Sequence, residues 1–221
     1  MNLSEQTVSI LKNFSTINQN LLVKQGKVLN TMSAMKNIVA KAEVDEEFPK
    51  DFAIYDLNEF LACLSLFTKP ELTFEEGFVV MGETGSKGRK LKYFFSDPSV
   101  VTSPSKELSM PSVEVNFPLQ SNILSDVQKA AAVIGAPDMV LESGELRVTD
   151  KKNDTANSYS TELDAESENS SYKFWFKVEN LKLLPGCYDV EVSEKKISHF
   201  QNKKLPVGYF IALEPESSYG V

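Results

Sequence analysis

The chain has 221 residues, which allows one large domain or two small ones. Its residues are 42% hydrophobic and 24% charged, a composition that suits a packed core and excludes wholesale disorder. The net charge of −8 excludes a protein that is basic on every side. A basic patch on an otherwise acidic protein remains compatible with this net charge, because binding depends on the local electrostatic field and not on the total charge.

The first predicted element is an amphipathic helix over residues 3–17. Ser4 is a suitable N-cap, and Glu5 suits the first helical turn. The predicted buried stripe consists of Val8, Leu11 and Phe14, widened by Ile10 and Ile17. The opposite face is polar, small and lightly charged, and it consists of Glu5, Ser9, Lys12, Asn13 and Thr16.

Short strands follow the first helix, and a second helix interrupts them. Strands are predicted at residues 21–25, 27–33, 37–44 and 51–55, and after the second helix at 71–76, 77–83 and 90–96. Asp56 opens the second helix, and Glu59 completes a capping box. Its predicted buried stripe is Leu57, Phe60, Leu61 and Leu64.

A stretch with three prolines and many serines then breaks the pattern, and we interpret it as a connector. The predicted domains are residues 1–97 and 113–221, joined by residues 98–112. After a strand near Val113, a third helix is predicted over residues 121–135, ended by Gly135. Its predicted apolar stripe is Ile123, Val127, Ala130 and Ile134, and its other face is Asn122, Ser125, Lys129 and Ala132.

The rest of the chain repeats the order of the first half. Predicted strands cover residues 138–143, 145–150, 159–165, 172–178, 187–194, 197–201 and 207–213, with a short helical turn at 180–184 and a polar tail at 214–221. Two copies of one unit, with helices at matching places, predict a pseudo-symmetric object. Short, local connections between many strands favour antiparallel pairing, and so an α+β fold.

Catalytic constellations are absent from the sequence. His199 is the only histidine, which excludes a catalytic triad and a two-histidine metal site. Cys63 and Cys187 are far apart and are expected to be reduced, buried thiols. No signal peptide or apolar run of membrane-spanning length is visible. We expect a soluble intracellular protein with no cofactor, no metal and no enzymatic activity.

A basic stretch near the end of the first half has two interpretations. It consists of Lys87, Arg89, Lys90 and Lys92. These cations could bind nucleic-acid phosphates, or they could protect a sheet edge from unwanted pairing. Both interpretations stay open at this point.

Several segments resemble one known family. They are ILKNFSTIN from Ile10, AIYDLNEFLACLSLF from Ala53, SDPS from Ser96, NLKLLPGCY from Asn180 and YFIALEPES from Tyr209. In this order they resemble the replicative sliding clamp of T-even-like bacteriophages. The resemblance covers almost the whole chain and is strongest over the first 70 residues.

The resemblance implies a DNA clamp fold, with antiparallel sheets outside and short helices lining the pore of a homotrimeric ring. It implies three partners: duplex DNA bound without sequence preference, the DNA polymerase that the ring tethers, and an ATP-driven clamp loader. Late-transcription factors are a further implied partner. The implied location is the cytoplasm of the infected host cell.

The resemblance also implies site residues. Those expected to face DNA are Lys12, Asn13, Ser125, Lys129 and Lys182, in a lining that a few lysines make basic. Those expected at the subunit interface are Lys90, Lys92, Phe94, Phe95, Tyr159, Glu162 and Leu163, with Asp164 adding charge. A partner-peptide groove is expected from Leu108, Met110, Pro111, Val113, Phe210, Leu213 and Pro215, with Ala212 beside them.

Plainer interpretations of these residues remain open: solvated helix faces, ordinary edge strands, and core packing beneath a loop. Two other functions also remain open. One is an all-β structural protein, such as a virion component, that uses edge pairing without DNA. The other is a metal-dependent hydrolase that uses paired carboxylates around Glu162.

Overall fold

The computed structural model describes residues 1–85 and 88–220, so Lys87 of the basic stretch lies outside the described residues. The chain divides into two compact units, Met1–Lys106 and Glu107–Val221. The boundary between the units falls inside the segment that we interpreted as a connector. In the described residues, no helix is long and apolar enough to cross a membrane.

The described residues of the first unit form two helices and seven strands. In chain order these are α1 (Glu5–Ile17), β1 (Leu21–Val23), β2 (Gly26–Met32), β3 (Ile38–Phe48), β4 (Phe52–Ile54), α2 (Leu57–Leu64), β5 (Pro70–Phe74), β6 (Phe78–Glu83) and β7 (Lys90–Phe94). A 3-10 turn, Pro98–Val100, follows. The described strands pair antiparallel as β1 with β4, β2 with β3, and β5–β6–β7 in a meander.

The described part of the second unit forms one helix and ten strands. These are β8 (Val115–Leu119), α3 (Ser121–Ile134), β9 (Asp138–Glu142), β10 (Glu145–Thr149), β11 (Tyr159–Glu162), β12 (Glu166–Ser167), β13 (Tyr172–Lys177), β14 (Tyr188–Ser193), β15 (Ile197–Asn202), β16 (Val207–Ala212) and β17 (Ser218–Tyr219). Within this unit, strands pair in the orders β12–β8–β14–β15–β16 and β11–β10–β9–β13–β17. All of these pairs are antiparallel.

The two units repeat one plan, as the sequence predicts. Helix α1 corresponds to α3, and the β1–β4 pair corresponds to the β9–β13 pair. The meander β5–β6–β7 corresponds to β14–β15–β16. Where the first unit has α2, the second has only a 3-10 turn, Val178–Asn180. The predicted helical turn at residues 180–184 is therefore wrong, because that segment continues past the turn without regular structure.

Local capping defines the starts of the first two helices. The Ser4 hydroxyl accepts a hydrogen bond from the Thr7 amide at 3.1 Å. The Asp56 carboxylate accepts bonds from the amides of Asn58 and Glu59 at 2.9 and 3.1 Å. These bonds satisfy backbone donors that lack a partner inside the helix.

The buried faces of the long helices differ from the predicted stripes. In α1 the buried residues are Thr7, Ile10, Leu11, Phe14 and Ile17, and Val8 is only half-buried. In α2, Leu61 is likewise only half-buried. In α3 the buried residues are Leu124, Val127 and Ala131, and the predicted Ile123, Ala130 and Ile134 are half-buried. Helix α3 packs on β10 and β11, and its buried side is the one that carries Leu124, although apolar residues also lie outside that side.

Two further segments are more ordered than the sequence suggests. The polar tail forms β17, which pairs with β13 and brings Tyr219 opposite Tyr172. The serine-rich segment before Tyr172 contains β12, which pairs with β8. Both segments bury little side-chain surface, so hydrophobic periodicity gives no signal for them.

Candidate functional site

The exposed face of α1 is lightly charged and polar. It carries Glu5, Ser9, Lys12 and Thr16, all exposed. Asn13 is half-buried at the margin, and its backbone carbonyl accepts a 2.7 Å bond from the Thr16 hydroxyl. Lys12 is therefore the only cation among the described residues of this face, and it lies among small side chains suited to contact without sequence readout.

The exposed face of α3 includes two residues, Asp126 and Val133, that the predicted polar face did not contain. Asn122, Asp126, Lys129 and Val133 are exposed along it, Val133 to 85%. Ser125 is half-buried beside them. Asp126 precedes Lys129 by three positions, so the two side chains are neighbours on one helix surface. This three-residue spacing is visible in the sequence, so Asp126 could have been identified from it as part of the exposed face.

Lys182 lies on no helix, but its segment is docked against α3. The Gln128 side-chain amide donates a 3.0 Å bond to the Leu181 carbonyl. The Tyr188 hydroxyl donates a 2.6 Å bond to the Leu184 carbonyl, and burial raises the pKa of Tyr188 to about 12. These bonds fix the segment around Lys182 next to the turn of α3 that carries Lys129.

The basic lining implied by the resemblance stays a prediction, since the helices that would form it are nearly balanced in charge. Their exposed faces carry the cations Lys12 and Lys129, against the carboxylates Glu5, Glu59 and Asp126. Carboxylates on the same faces reduce the attraction of each lysine for phosphate. A surface of this composition can contact a polyanion only weakly.

Strand β7 presents an open edge with cations and exposed aromatic surface. It is the terminal strand of its three-stranded sheet. Lys90 and Lys92 are exposed, and Phe94 is 68% exposed. The Lys92 ammonium lies 4.2 Å from the centre of the Phe78 ring, a cation–π contact. Phe95 instead turns inward, with its ring 4.8 Å from that of Phe52.

A cavity of about 450 Å³ lies between α2 and β7, lined in part by Tyr55, Glu59, Cys63 and Tyr93. Burial, with a smaller contribution from the Glu59 charge, raises the pKa of the Cys63 thiol. Burial also raises the pKa of Tyr93 to about 12, and its hydroxyl donates a 3.3 Å bond to the Asp56 carbonyl. Leu91, Lys92, Phe94 and Phe95 also line the cavity, so apolar and aromatic side chains surround one carboxylate and one ammonium group.

Strand β11 presents an open edge of opposite charge. It is the terminal strand of the sheet that it forms with β10. Tyr159 is 38% exposed, and Glu162 is exposed. Leu163 is half-buried, and its amide donates a 2.8 Å bond to the Gly144 carbonyl. The exposed carboxylates Asp164, Glu166 and Glu168 continue the acidic run.

Val113, expected on one side of the peptide groove, lies near the end of β14. The chain on either side of Val113 is held at the end of β14, where the Ser112 and Ser193 hydroxyls lie 2.6 Å apart and the Glu114 amide donates a 3.0 Å bond to the Val192 carbonyl. Strands β14 and β15 separate β8 from β16, which carries Phe210. Three strand spacings amount to about 14 Å. Val113 and Phe210, which were expected on opposite sides of the groove, are therefore separated by two strands.

The other predicted groove residues differ in exposure. Leu108 is 40% exposed, Pro111 and Pro215 are exposed, and Met110 and Ala212 are half-buried. Leu213 is buried, and its amide donates a 2.9 Å bond to the Lys196 carbonyl. The Phe210 ring stacks on that of His199 at 4.4 Å. Val113 itself lines an acidic cavity of about 610 Å³ with Glu114, Asn116, Glu166, Ser167, Glu168, Glu194 and Tyr219.

His199 is half-buried in β15. Burial lowers the pKa of its imidazole, and Glu191, whose carboxylate lies 3.6 Å from Nδ1, opposes that shift. Cys63 and Cys187 are unpaired thiols, and both are half-buried. Among the described residues, no group of three or more histidine, cysteine, aspartate or glutamate side chains is arranged to hold a metal ion.

Comparisons with known proteins show the family and the fold of this chain. Residues 4–76 match a family model described as DNA polymerase processivity factor. The sliding clamp of Vibrio phage KVP40 is 32% identical, over 97% of this chain and 99% of that protein. The sliding clamp of Enterobacteria phage T4 is 26% identical, over 99% of each chain. The crystal structure of PCNA from Thermococcus kodakaraensis superposes with a TM-score of 0.70 at 15% identity, covering 94% of this chain and 96% of that one. This likeness confirms the predicted fold class.

Proposed function

The chain belongs to the sliding clamp family, and we propose that three copies of it close head-to-tail into a ring around duplex DNA. As a sliding clamp it is a processivity factor of bacteriophage DNA replication, and it is not an enzyme. The observation that carries the ring proposal is the pair of open edges, basic on β7 and acidic on β11. Two different complementary edges on one chain form a heterologous contact, and such contacts close into rings when the rotation allows it.

Each chain contributes two clamp domains, residues 1–97 and 113–221, joined by residues 98–112, with the helices toward the DNA. Lys12, Lys129 and Lys182 contact phosphates without reading sequence, and Asn13 and Ser125 are neutral neighbours. The near balance of charge on the helix faces supports a loose contact. Encirclement of the duplex, more than direct binding to it, then keeps the ring on DNA.

The ring tethers the DNA polymerase to its template after an ATP-driven loader has placed it there, in the cytoplasm of the infected cell. Partners bind by a short apolar peptide in a groove whose one side is Leu108, Met110, Pro111 and Val113 and whose other side is Phe210, Ala212, Leu213 and Pro215. The exposed Leu108, Pro111 and Pro215 suit such a site, and methionine suits one that accepts several partners. Late-transcription factors are candidate partners at the same surface.

Light scattering followed by primer extension tests this function. We expect a mass of three chains, and longer products when the cognate polymerase and loader are supplied with the clamp. A trimer that never lengthens the products would favour a structural virion component instead. A monomer at micromolar concentration would contradict the ring.

A further inference from the structure

The hairpin turn between β14 and β15 holds a lysine in an unusual backbone conformation. Lys196 has a φ of 64°, which lies in the left-handed region. Residues with a Cβ atom are disfavoured there, and glycine or asparagine is the usual residue. A lysine at this position costs stability, and such strain persists only where other contacts of the structure offset it.

The contacts of Lys196 with the segment after β16 provide that offset. Its ammonium donates hydrogen bonds to the carbonyl oxygens of Pro215 and Ser217, both at 2.5 Å. Its backbone carbonyl accepts a 2.9 Å bond from the Leu213 amide. One residue of the hairpin turn therefore binds three residues of the segment that leaves β16.

Pro215 depends on Lys196 more than its neighbours do. The Glu214 amide donates a 2.8 Å bond to the Trp175 carbonyl, and the Trp175 amide donates a 2.8 Å bond to the Ser217 hydroxyl. Strand β13 therefore holds the residues on both sides of Pro215. Proline has no amide, so its carbonyl is its only backbone hydrogen-bonding group. That carbonyl is the group that the Lys196 ammonium binds.

Two of the residues that Lys196 binds belong to one side of the proposed partner-peptide groove. Leu213 is buried there, and Pro215 is exposed. We propose that Lys196 is a positioning residue of this groove, which fixes Pro215 relative to Leu213 before a partner arrives. This role rests on the proposed function. A groove side that is already formed spares the binding peptide the cost of ordering it.

The hairpin turn between β2 and β3 provides an internal comparison. Lys36 has a φ of 59°, and its amide donates a 2.8 Å bond to the Ser33 carbonyl. The Lys196 amide donates the equivalent bond to the Ser193 carbonyl at 3.1 Å. Lys36 is exposed, and its ammonium binds no carbonyl oxygen among the described residues. Lys36 therefore shares the backbone conformation of Lys196 without its side-chain contacts, and it is the matched control.

Affinity for the cognate DNA polymerase, measured by surface plasmon resonance, tests the role of Lys196. We expect Lys196→Met to weaken binding about tenfold, as it would if about a tenth of the molecules kept this side of the groove formed. Lys196→Arg keeps cationic donors and should stay within about threefold of the parent. Lys36→Gly should leave the affinity unchanged.

Melting temperature separates positioning from a purely stabilising role. Lys196→Gly removes the ammonium and also relieves the backbone strain. We therefore expect it to melt at a higher temperature than Lys196→Met and yet to bind the polymerase as weakly. Affinities that follow the melting temperatures across the series would overturn the positioning role, and so would parent-like binding by Lys196→Met.

The parent clamp distinguishes failure of this role from failure of the proposed function. If the parent binds the polymerase and lengthens its products, and every Lys196 variant does so equally, the function stands and Lys196 has no positioning role. If the parent neither binds the polymerase nor lengthens its products, the proposed function fails, and the role of Lys196 fails with it.

Discussion

Helix α3 offers two substitutions of opposite sign on one exposed surface. Asp126→Asn removes a carboxylate, and Lys129→Gln removes the cation three positions later. Both side chains are exposed, so neither change should move stability by more than about 0.5 kcal/mol. If this face meets DNA, the first substitution should strengthen nonspecific binding and the second should weaken it.

The size of both effects follows from the geometry. Side chains three positions apart on a helix are about 6 Å apart, so a phosphate bound by Lys129 would lie at about that distance from Asp126, and in water two unit charges at that distance repel by about 0.7 kcal/mol, or about threefold in affinity. Asp126→Asn should therefore tighten binding about threefold for each subunit that touches the duplex. Lys129→Gln should make the negative slope of log K against log salt concentration shallower by about 0.9 for each phosphate that the lysine no longer neutralises.

Fluorescence anisotropy on a linear duplex at several salt concentrations measures both quantities. Ser9→Ala on α1 is a neutral control and should change neither the affinity nor the slope. If Asp126→Asn and Lys129→Gln leave binding unchanged, or change it in the same direction, α3 does not face DNA.

Three further predictions concern assembly and stability. Phe94→Asp should give monomers by sedimentation, because it puts a charge into the proposed interface; an unchanged trimer would remove Phe94 from it. Asp138 is buried, with a carboxylate oxygen 2.5 Å from the Lys177 ammonium. Asp138→Asn should lower the free energy of unfolding by about 3 kcal/mol in urea titrations, since it leaves a partly buried cation without its main counter-charge; a decrease below about 1 kcal/mol would contradict this. Burial raises the pKa of Glu46, but hydrogen bonds, above all from the Thr7 hydroxyl, outweigh burial and hold that pKa below its usual value. A lowered folded-state pKa gives stability that is present above the unfolded pKa, about 4.3, and lost as pH falls through the folded value. Glu46→Gln should remove this part of the acid sensitivity, and parallel decreases in stability of both proteins between about pH 6 and pH 3 would contradict it.

Local features of the fold could be predicted from sequence because their causes are local. Ser4 and Asp56 cap helices through hydrogen bonds to amides two or three residues away, and both caps were expected from residue type. The repeated order of helices and strands was visible for a similar reason, since each element has its own periodicity.

Features decided by tertiary packing could not be predicted in this way. Helix α3 has apolar residues on both sides of Leu124, so its contact with β10 and β11 determines that Leu124 is buried and that Ile123 is only half-buried. The separation of Val113 from Phe210 depends on β14 and β15 lying between them, which no local pattern encodes. Lys182 was expected on a short helical turn at residues 180–184, but the 3-10 turn ends before it.

The central claim is that the chain encircles DNA, and retention on closed circles tests it most directly. Clamps loaded onto nicked circular duplex and onto the same duplex made linear are challenged with increasing salt. We predict that the circles keep their clamps at salt concentrations that abolish direct binding, while the linear molecules lose theirs by sliding off the ends. Identical release from both substrates at every salt concentration would contradict encirclement.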